Sequence, residues 1–523
     1  MRQYRYDEGR FILALPSNDI TASDTLKYIE GARYDRKRQA WSLPASLRTV
    51  MQLGTMAFEV HPRFADLTNA YLDTLQRPLV VEDEGQRVFG ERTLLPHQCV
   101  GLWWLRHRTH ALLNDEVGTG KTLHAIAWAY DDPCVLICAK QVLLPQWEEE
   151  IRRMGVRCEP EYLLPTDATG HKILLPKNGW FLIHPEKLYR VAPTHHNYTV
   201  IYDESSMFKN QKARRTQAAI SLAAGGSKVL CLDGNAMVNR PIELWTMYLM
   251  LRQRERGEFW KWAERYTGSF RTPYGWDFSG ATFIDELAND MTAFSLRREI
   301  KDILDLPEMF ERTITVPQNQ LAMDELSERA QLLHDDIQRG VSLKSGEGFT
   351  HLQNLRVNAS LVKVPYALDW LVDRTAQGSK VVTFSEFKGP LRLIEEDFSK
   401  QAHGGHYVVK VTGDEDYEMR QTNIGLFNKD PKCVGMLTTY AVGERGLNLQ
   451  VAETVLILDL PWTPSALEQA KARVHRLGQT KPTEVITLMS GHPVEELMLT
   501  ALMRKQDILE GLHNIGERKA FTL

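Results

Sequence analysis

Seven short aliphatic and β-branched runs constrain this chain more than any other feature. They are CVLIC at 134–138, TVIYD at 199–203 and KVLCL at 228–232, then KVVTF at 380–384, VGMLT at 434–438, TVLILD at 454–459 and EVITL at 484–488. A strand with one wet face would alternate apolar and polar residues. These runs are apolar almost throughout, so they read as strands covered on both faces. The stretches between them have helical character, as in LHAIAWAY after residue 122 and LEQAKARVHR after 466. Strands alternating with helices predict doubly wound α/β layers. The runs fall into two clusters, and 523 residues exceed what one core organises, so two α/β lobes are expected.

Between the clusters, from roughly 245 to 375, the pattern turns helical and charged, a helical insertion. GSFRTPYGWDFSG at 268–280 reads as a polar, aromatic loop, and 67–90 as a linker. Hydrophobic residues make up 43% and charged residues 25%, an ordinary globular composition. No apolar run approaches bilayer length, and MRQYRYDEGR is charged where a secretory signal needs an apolar stretch, so an intracellular, cytoplasmic protein without a membrane partner is expected. The formal net charge of -4 excludes a blanket polycation; nucleic acid can be bound only by a local basic track. The six cysteines are scattered without a CxxC pair, and Cys134 and Cys138 fall inside a strand run. His403 and His406 have ligand-like spacing but sit in a Gly-rich turn, so no structural zinc is expected.

DEVGTGKT, Asp115 to Thr122, carries the strongest local chemistry. Gly118, Thr119 and Gly120 let backbone N–H groups face phosphate oxygens. Lys121 can reach the β/γ-phosphates, and Thr122 can ligate magnesium. A strict phosphate loop asks for glycine where Asp115 stands, so the generic match is incomplete. Asp203 and Glu204 follow the apolar run TVIYD. An Asp at such a strand end holds magnesium beside bound ATP, and the adjoining Glu is placed to polarise water. In the far lobe, QAKARVHRLGQ places Arg473 and Arg476 three apart, on one face of the expected helix. Guanidinium groups there can stabilise a transferring γ-phosphoryl; a solvated basic helix is the bland alternative.

The order and wording of these segments resemble the Swi/Snf-related ATPases of helicase superfamily two. LLPHQCVGLWWL at 94–105 resembles the adenine-reading segment, and DESSMFKN at 203–210 resembles motif II. LRREIKDILDLP at 296–307 resembles the segment that closes the first lobe. VVTFSEF, TTYAVGERGLNLQVAETVLILDLPW and QAKARVHRLGQTKPTEV resemble motifs IV, V and VI, so the likeness covers about residues 90 to 490. It implies two RecA-like parallel-sheet lobes with helical insertions, using ATP and Mg2+. It also implies that Gln98 reads adenine; that Gly118, Gly120, Lys121 and Thr122 hold phosphate and magnesium; that Asp203 binds magnesium and Glu204 activates water. Gly446 would approach the nucleotide from the second lobe, and Arg473 and Arg476 would act as arginine fingers. Two departures stand out. Ser206 replaces the usual His of motif II, and Asp233–Gly234–Asn235–Ala236 replaces Thr-Gly-Thr-Pro in motif III. Ser206, Asp233 and Asn235 are therefore expected to form a substituted relay between nucleotide and DNA.

FILALPSNDITASDTLKYIEGARYDRKRQAWSLP resembles the HARP (HepA-related) domain of annealing helicases, above all from Gly31 to Pro44. It implies a small α+β domain over 1–66 that recognises DNA structure, followed by the linker, a first lobe over 91–310 and a second over 311–523. Residues 1–66 hold ten Lys/Arg against eight Asp/Glu. Arg33, Arg36, Lys37 and Arg38, with Tyr34 and Trp41 interleaved, suit phosphate binding and base stacking. Trp41 reads better as core. The expected activity is an ATP-dependent DNA translocase on duplex, forked or four-way DNA, remodelling forks or migrating branches. The alternatives are a translocase that strips proteins from duplex and, from another class, a non-hydrolysing DNA scaffold. Nucleosome remodelling is disfavoured, since the sequence carries no histone-reading appendage.

Overall fold

The structure is a computed structural model that describes residues 87–163, 172–316 (without 238 and 274), 346–400, 405–443, 447 and 449–520. Within the first 65 residues it describes 2–7, 10–15, 32–35, 40–44, 58–62 and a few positions between them. Two sheets dominate. The first has seven strands, ordered Pro160–Tyr162, Gly179–Ile183, Cys134–Cys138, Thr199–Tyr202, Lys228–Leu232, His110–Leu113 and Ser295–Leu296, every pair parallel. The second has six, ordered Met309–Thr315, Thr483–Met489, Thr454–Ile457, Val381–Ser385, Cys433–Thr439 and Tyr407–Val411, again all parallel. All seven apolar runs of the sequence are strands of these sheets.

Near-continuous apolarity is explained by two cores per sheet. In the first lobe Leu136, Cys138, Val200 and Tyr202 face a core with Trp245, Tyr248 and Trp262. Their neighbours Val135, Ile137 and Ile201 face the other, with Trp128 and Trp147. The second lobe repeats the arrangement, Val382 and Phe384 on one side, Val381 and Leu456 on the other. Burying a Val or Leu side chain contributes about 1.5–3 kcal/mol. Strands that do so on both faces hold each lobe together without alternation.

Two expectations about organisation change. Strand Met309–Thr315 pairs along its whole length with Thr483–Met489, so the boundary expected at 310/311 falls inside a strand of the second lobe. Residues 268–280 are not only loop: Phe270–Thr272 and Gly275–Asp277 form a two-stranded antiparallel hairpin. The expected linker lies largely outside the described residues, but its end, Val88–Phe89, pairs with Arg92–Thr93 and docks on the first lobe through Arg92 and Glu150. The stretch expected as a helical insertion holds helices such as Phe259–Thr267 and the long Gly346–Ala376, but among its described residues it also holds the hairpin at 270–277 and the strands Ser295–Leu296 and Met309–Thr315. Residues 317–345, which include MDELSERAQLLHDDIQRG, lie outside the described residues.

The N-terminal residues form a five-stranded sheet ordered Arg33–Asp35, Ala40–Pro44, Arg10–Ala14, Gln3–Asp7 and Glu59–Val60, antiparallel except for the last pair. Phe11, Leu13, Leu43 and Trp41 build its core, so Trp41 is a packing residue. Arg33 reaches Glu255 at 2.9 Å, bringing this sheet against the helical insertion. Among the described residues no helix is long and apolar enough to cross a membrane.

Candidate nucleotide site between the lobes

The phosphate loop leaves strand His110–Leu113, next to the edge strand of the first sheet, and enters the helix Lys121–Ala129. Gly118 and Gly120 have φ of +97° and +79°, a region that side chains rarely occupy. A Cβ on Gly120 would lie 2.4 Å from Gln98 Nε2, so that buried side-chain end would have to shift, and the positive φ is what calls for glycine. The Lys121 ammonium donates to the carbonyls of Asp115 and Glu116 at 2.6 and 2.9 Å, and Thr119 Oγ1 donates to Glu116 O at 3.0 Å. Burial lowers the Lys121 pKa, opposed by three carboxylates, Asp115, Asp233 and Asp203. The helix start adds its positive dipole end. Gln98 is buried, accepts from Leu95 N at 2.9 Å and rests against the loop at Thr119, while His97 Nε2 lies 2.9 Å from Thr119 O.

Asp115, the residue out of place in a generic phosphate loop, is fully buried and clasped by Arg298, with Nε to Oδ1 at 3.1 Å. The same guanidinium donates to His97 O at 2.6 Å and to His124 Nε2 at 3.3 Å; burial and Arg298 push His124 down to about 3, so its ring is neutral and accepts. Arg297 donates to Asn114 O and Gly234 O, and Glu116 accepts from Ile300 N at 2.7 Å. The segment 296–300 thereby fixes the loop from behind. A glycine at 115 would leave Arg298 charged and buried without its partner, which costs several kcal/mol, about 3–5.

Asp203 follows strand Thr199–Tyr202, and Trp147 Nε1 donates to its Oδ2 at 2.9 Å. Burial and the adjacent Glu204 push Asp203 up to about 6. A divalent cation fits this set. Thr122 and Asp203 offer hard oxygen donors, and a cation would stabilise an ionised carboxylate that burial disfavours. Glu204 has φ +50°, a left-handed conformation costing a non-glycine residue about 1–3 kcal/mol. Its carboxylate is held by the Lys140 ammonium. Ser206, Asp233 and Asn235 do meet, but by another route than side-chain pairing. Asp233 accepts from the backbone N–H groups of Ser206 at 2.6 Å and Asn235 at 2.9 Å, and from the Ser205 hydroxyl at 3.4 Å. The Ser206 hydroxyl is not part of that contact.

The far lobe corrects the expected helix face. The helix Pro464–Lys471 ends before both arginines, which lie in the following turn. Gln479 ends it by donating to the carbonyls of Gln450, Ala452 and Val474, with Gly478 at φ +97°. The two arginines consequently part. Arg473 is buried and donates to Gly443 O at 3.0 Å, inside its own lobe. Arg476 faces the first lobe: a Cβ built on Gly118 would lie 3.2 Å from Arg476 Cβ. His475 Nε2 lies 2.8 Å from Pro307 O, in the segment that joins the two sheets. Beside this contact runs a cleft of about 720 Å³ lined by Glu116, Val117, Asn235, Arg297, Glu468 and Gln469.

Gly446 lies outside the described residues, as do Arg36, Lys37, Arg38 and His403. Arg33 is described and half-exposed, but its guanidinium is engaged by Glu255. Among the described residues no group of three or more His, Cys, Asp and Glu side chains is placed to hold a metal ion. Arg298, Lys140 and Trp147 went unnoticed in the sequence. Only Arg298 had a signal, its place in the LRREIKDILDLP segment at 296–307.

Residues 168–349 match the SNF2-related domain, and residues 363–478 match the helicase conserved C-terminal domain. The first span contains Asp203 and Asp233, the second Arg473 and Arg476. Among relatives, the Drosophila melanogaster SWI/SNF-related matrix-associated actin-dependent regulator of chromatin subfamily A-like protein 1 is 24% identical over 493 residues, 91% of this chain and 64% of its own. The Bos taurus protein of the same name is 26% identical over 524 residues, 94% of this chain and 54% of its own. The Mus musculus DNA annealing helicase and endonuclease ZRANB3 is 25% identical over 436 residues, 79% of this chain and 40% of its own. The chain therefore spans less than two thirds of the length of these three relatives. A solved structure, the Sulfolobus solfataricus SWI2/SNF2 ATPase core in complex with dsDNA, aligns with 83% of this chain and 96% of its own at 21% identity and TM-score 0.39.

Proposed function

We propose that this chain, built on an SNF2-related and a helicase C-terminal domain, is a DNA-dependent ATPase that moves along duplex DNA and acts on forked or four-way junctions. One observation carries the reading: Arg476 of the second lobe stands against Gly118 in the phosphate loop of the first. A site completed only across two lobes ties nucleotide chemistry to lobe motion, which is what a motor requires. In this reading Lys121 and the loop amides bind ATP phosphates, and Gln98 lies where the base would enter. Thr122 and Asp203 would hold magnesium, which supplies charge neutralisation on the phosphates. Glu204 accepts a proton from the attacking water once Lys140 releases it. Arg476 stabilises charge on the γ-phosphoryl as the lobes close. Gly446 is assigned to the second lobe's side of the nucleotide, and Arg473 to holding the turn that presents Arg476.

Asp233 joins the catalytic turn at Ser206 to the motif III turn at Asn235, so it is the natural path from nucleotide to DNA grip. Annealing, fork remodelling or branch migration is the preferred outcome, supported by the names of the relatives and by the N-terminal sheet with its Arg33 edge. Phosphate release measured with no DNA, single-stranded, duplex, forked and four-way DNA tests the proposal. Turnover raised most by junctions is expected. Absence of turnover with every DNA would leave the scaffold reading standing, and equal stimulation by plain duplex would favour a translocase that clears proteins.

A further inference from the structure

The helical insertion of the first lobe presents aromatic rings that the nucleotide site does not use. Helix Phe259–Thr267 buries Trp262, Ala263 and Tyr266, the expected inward spacing. Its outer face carries Trp260, 52% exposed. The hairpin that follows adds Phe270 at 59% and Trp276 at 48%. These rings are ordered against one another. Trp260 and Trp276 have centroids 4.8 Å apart, Trp260 and Phe278 6.1 Å, and Trp276 and Phe278 6.5 Å with planes only 22° apart. Single exposed apolar residues are ordinary on a protein surface; a contiguous aromatic set is not.

Cations interleave with the rings, and one carboxylate, Asp277 between Trp276 and Phe278, accepts from the backbone N–H of Ser279 at 2.7 Å. Lys261 adjoins Trp260, and Arg271 adjoins Phe270; both are exposed, and neither forms an ion pair among the described residues. Nearby, the Arg265 guanidinium lies 3.4 Å from the ring of the exposed Phe283 while Glu286 holds it. The N-terminal sheet reaches this same insertion: Arg33 meets Glu255 and Glu258, immediately before Trp260, and the neighbouring Tyr34 is 49% exposed.

Protein-binding faces also enrich aromatic rings and Arg, but they exclude Lys and other charge from their centre. Alternating rings and free cations suit a polyanion that offers flat faces, and in a duplex those faces are hidden by stacking. We propose that Trp260 and Trp276, flanked by Lys261 and Arg271, form a stacking ledge for the unpaired bases of single-stranded DNA. The ledge lies outside the interlobe cleft, so it would hold a displaced or exposed strand while the lobes grip duplex. This rests on the reading of the chain as a DNA motor, yet it is testable without ATP.

The experiment is fluorescence anisotropy of a labelled oligothymidylate with the full chain, alongside duplex-stimulated phosphate release and thermal melting. Trp260→Ala and Trp276→Ala should each weaken oligothymidylate binding roughly tenfold, the scale of one base–aromatic stack. Trp260→Phe should recover most of it, and duplex-stimulated turnover and melting should stay unchanged. Lys261→Ala with Arg271→Ala should reduce the salt slope of oligothymidylate binding by roughly 1.4. Oligothymidylate binding within twofold of wild type in both alanine variants would overturn the proposal. So would sedimentation showing a dimer that Trp260→Ala dissolves, which would make the ledge a contact between copies of this chain. If the wild-type chain released no phosphate yet lost oligothymidylate binding on Trp260→Ala, the ledge would stand and the motor reading would fall.

Discussion

Each lobe sets an aspartate at the end of a central parallel strand, and the two are treated in opposite ways. In the second lobe Asp459, two residues past Thr454–Ile457, is locked by Lys363 and by the Ser385 hydroxyl. Lys363 is itself fully buried, its ammonium 2.6 Å from Glu495 Oε1 and 3.2 Å from Leu488 O. Lys363, Asp459 and Glu495 each have a fixed protein partner. In the first lobe Asp203 stands one residue past its strand, held by Trp147 and, among the described residues, in no ion pair. Its balancing ammonium, Lys121, belongs to a glycine loop and is lent to two carbonyls. An acidic residue at a strand end is thus not a site in itself. It becomes one where the opposing cation sits on a loop that can pass it to a phosphate.

The sharpest break of this comparison removes the two lysines one at a time. Lys121→Ala should lower ATP turnover about a thousandfold, as expected for losing a preorganised charge contact, while melting stays near wild type. Glu204→Gln should instead retain bound ATP, because phosphate contacts remain and only the proton acceptor is lost. Lys363→Met should do the reverse, leaving Asp459 and Glu495 buried without their cation, held only by Ser385 and Ser490, and destabilising the second lobe by about 3–5 kcal/mol. Calorimetry and nucleotide binding on the same samples separate the two outcomes. A Lys363→Met protein that melts like wild type would remove the contrast.

Smaller changes sharpen it. Asp233→Asn replaces an acceptor of two backbone N–H groups with a side chain that can accept at only one atom. DNA stimulation of turnover should fall about tenfold, matching the loss of one hydrogen bond to a charged group, with a lesser loss of the basal rate. Ser206→Ala should change both rates less than about twofold, since the serine contributes its backbone and not its hydroxyl. A selective loss of stimulation in Ser206→Ala would restore the hydroxyl to the relay.

Much of this was legible because it depends on local chemistry. Runs such as CVLIC can be little else than doubly covered strands, and Gly118 and Gly120 announce a loop that needs left-handed backbone. What stayed hidden depends on distant partners. MFERTIT at 309–315 is mostly exposed and carries the charged pair Glu311 and Arg312, and only its ladder with Thr483–Met489 makes it a strand. LEQAKARVHR reads as helix through Arg476, yet Gln479 reaches back to carbonyls of 450 and 452 and turns the chain. Lys363 and Lys140 look like any surface lysines until the fold brings Glu495 and Glu204 to them.

The central claim is that the nucleotide site is complete only when the second lobe adds Arg476 to the loop of Lys121. Single-turnover phosphate release with duplex DNA, comparing wild type, Arg476→Ala and Arg473→Ala at saturating ATP, tests it most directly. The account predicts that Arg476→Ala loses about a thousandfold in rate, within the range known for arginine fingers, while ATP affinity is nearly kept. It predicts that Arg473→Ala loses less rate but melts earlier, because its contact to Gly443 is internal. Wild-type turnover in Arg476→Ala, or a loss confined to DNA affinity, would contradict the claim.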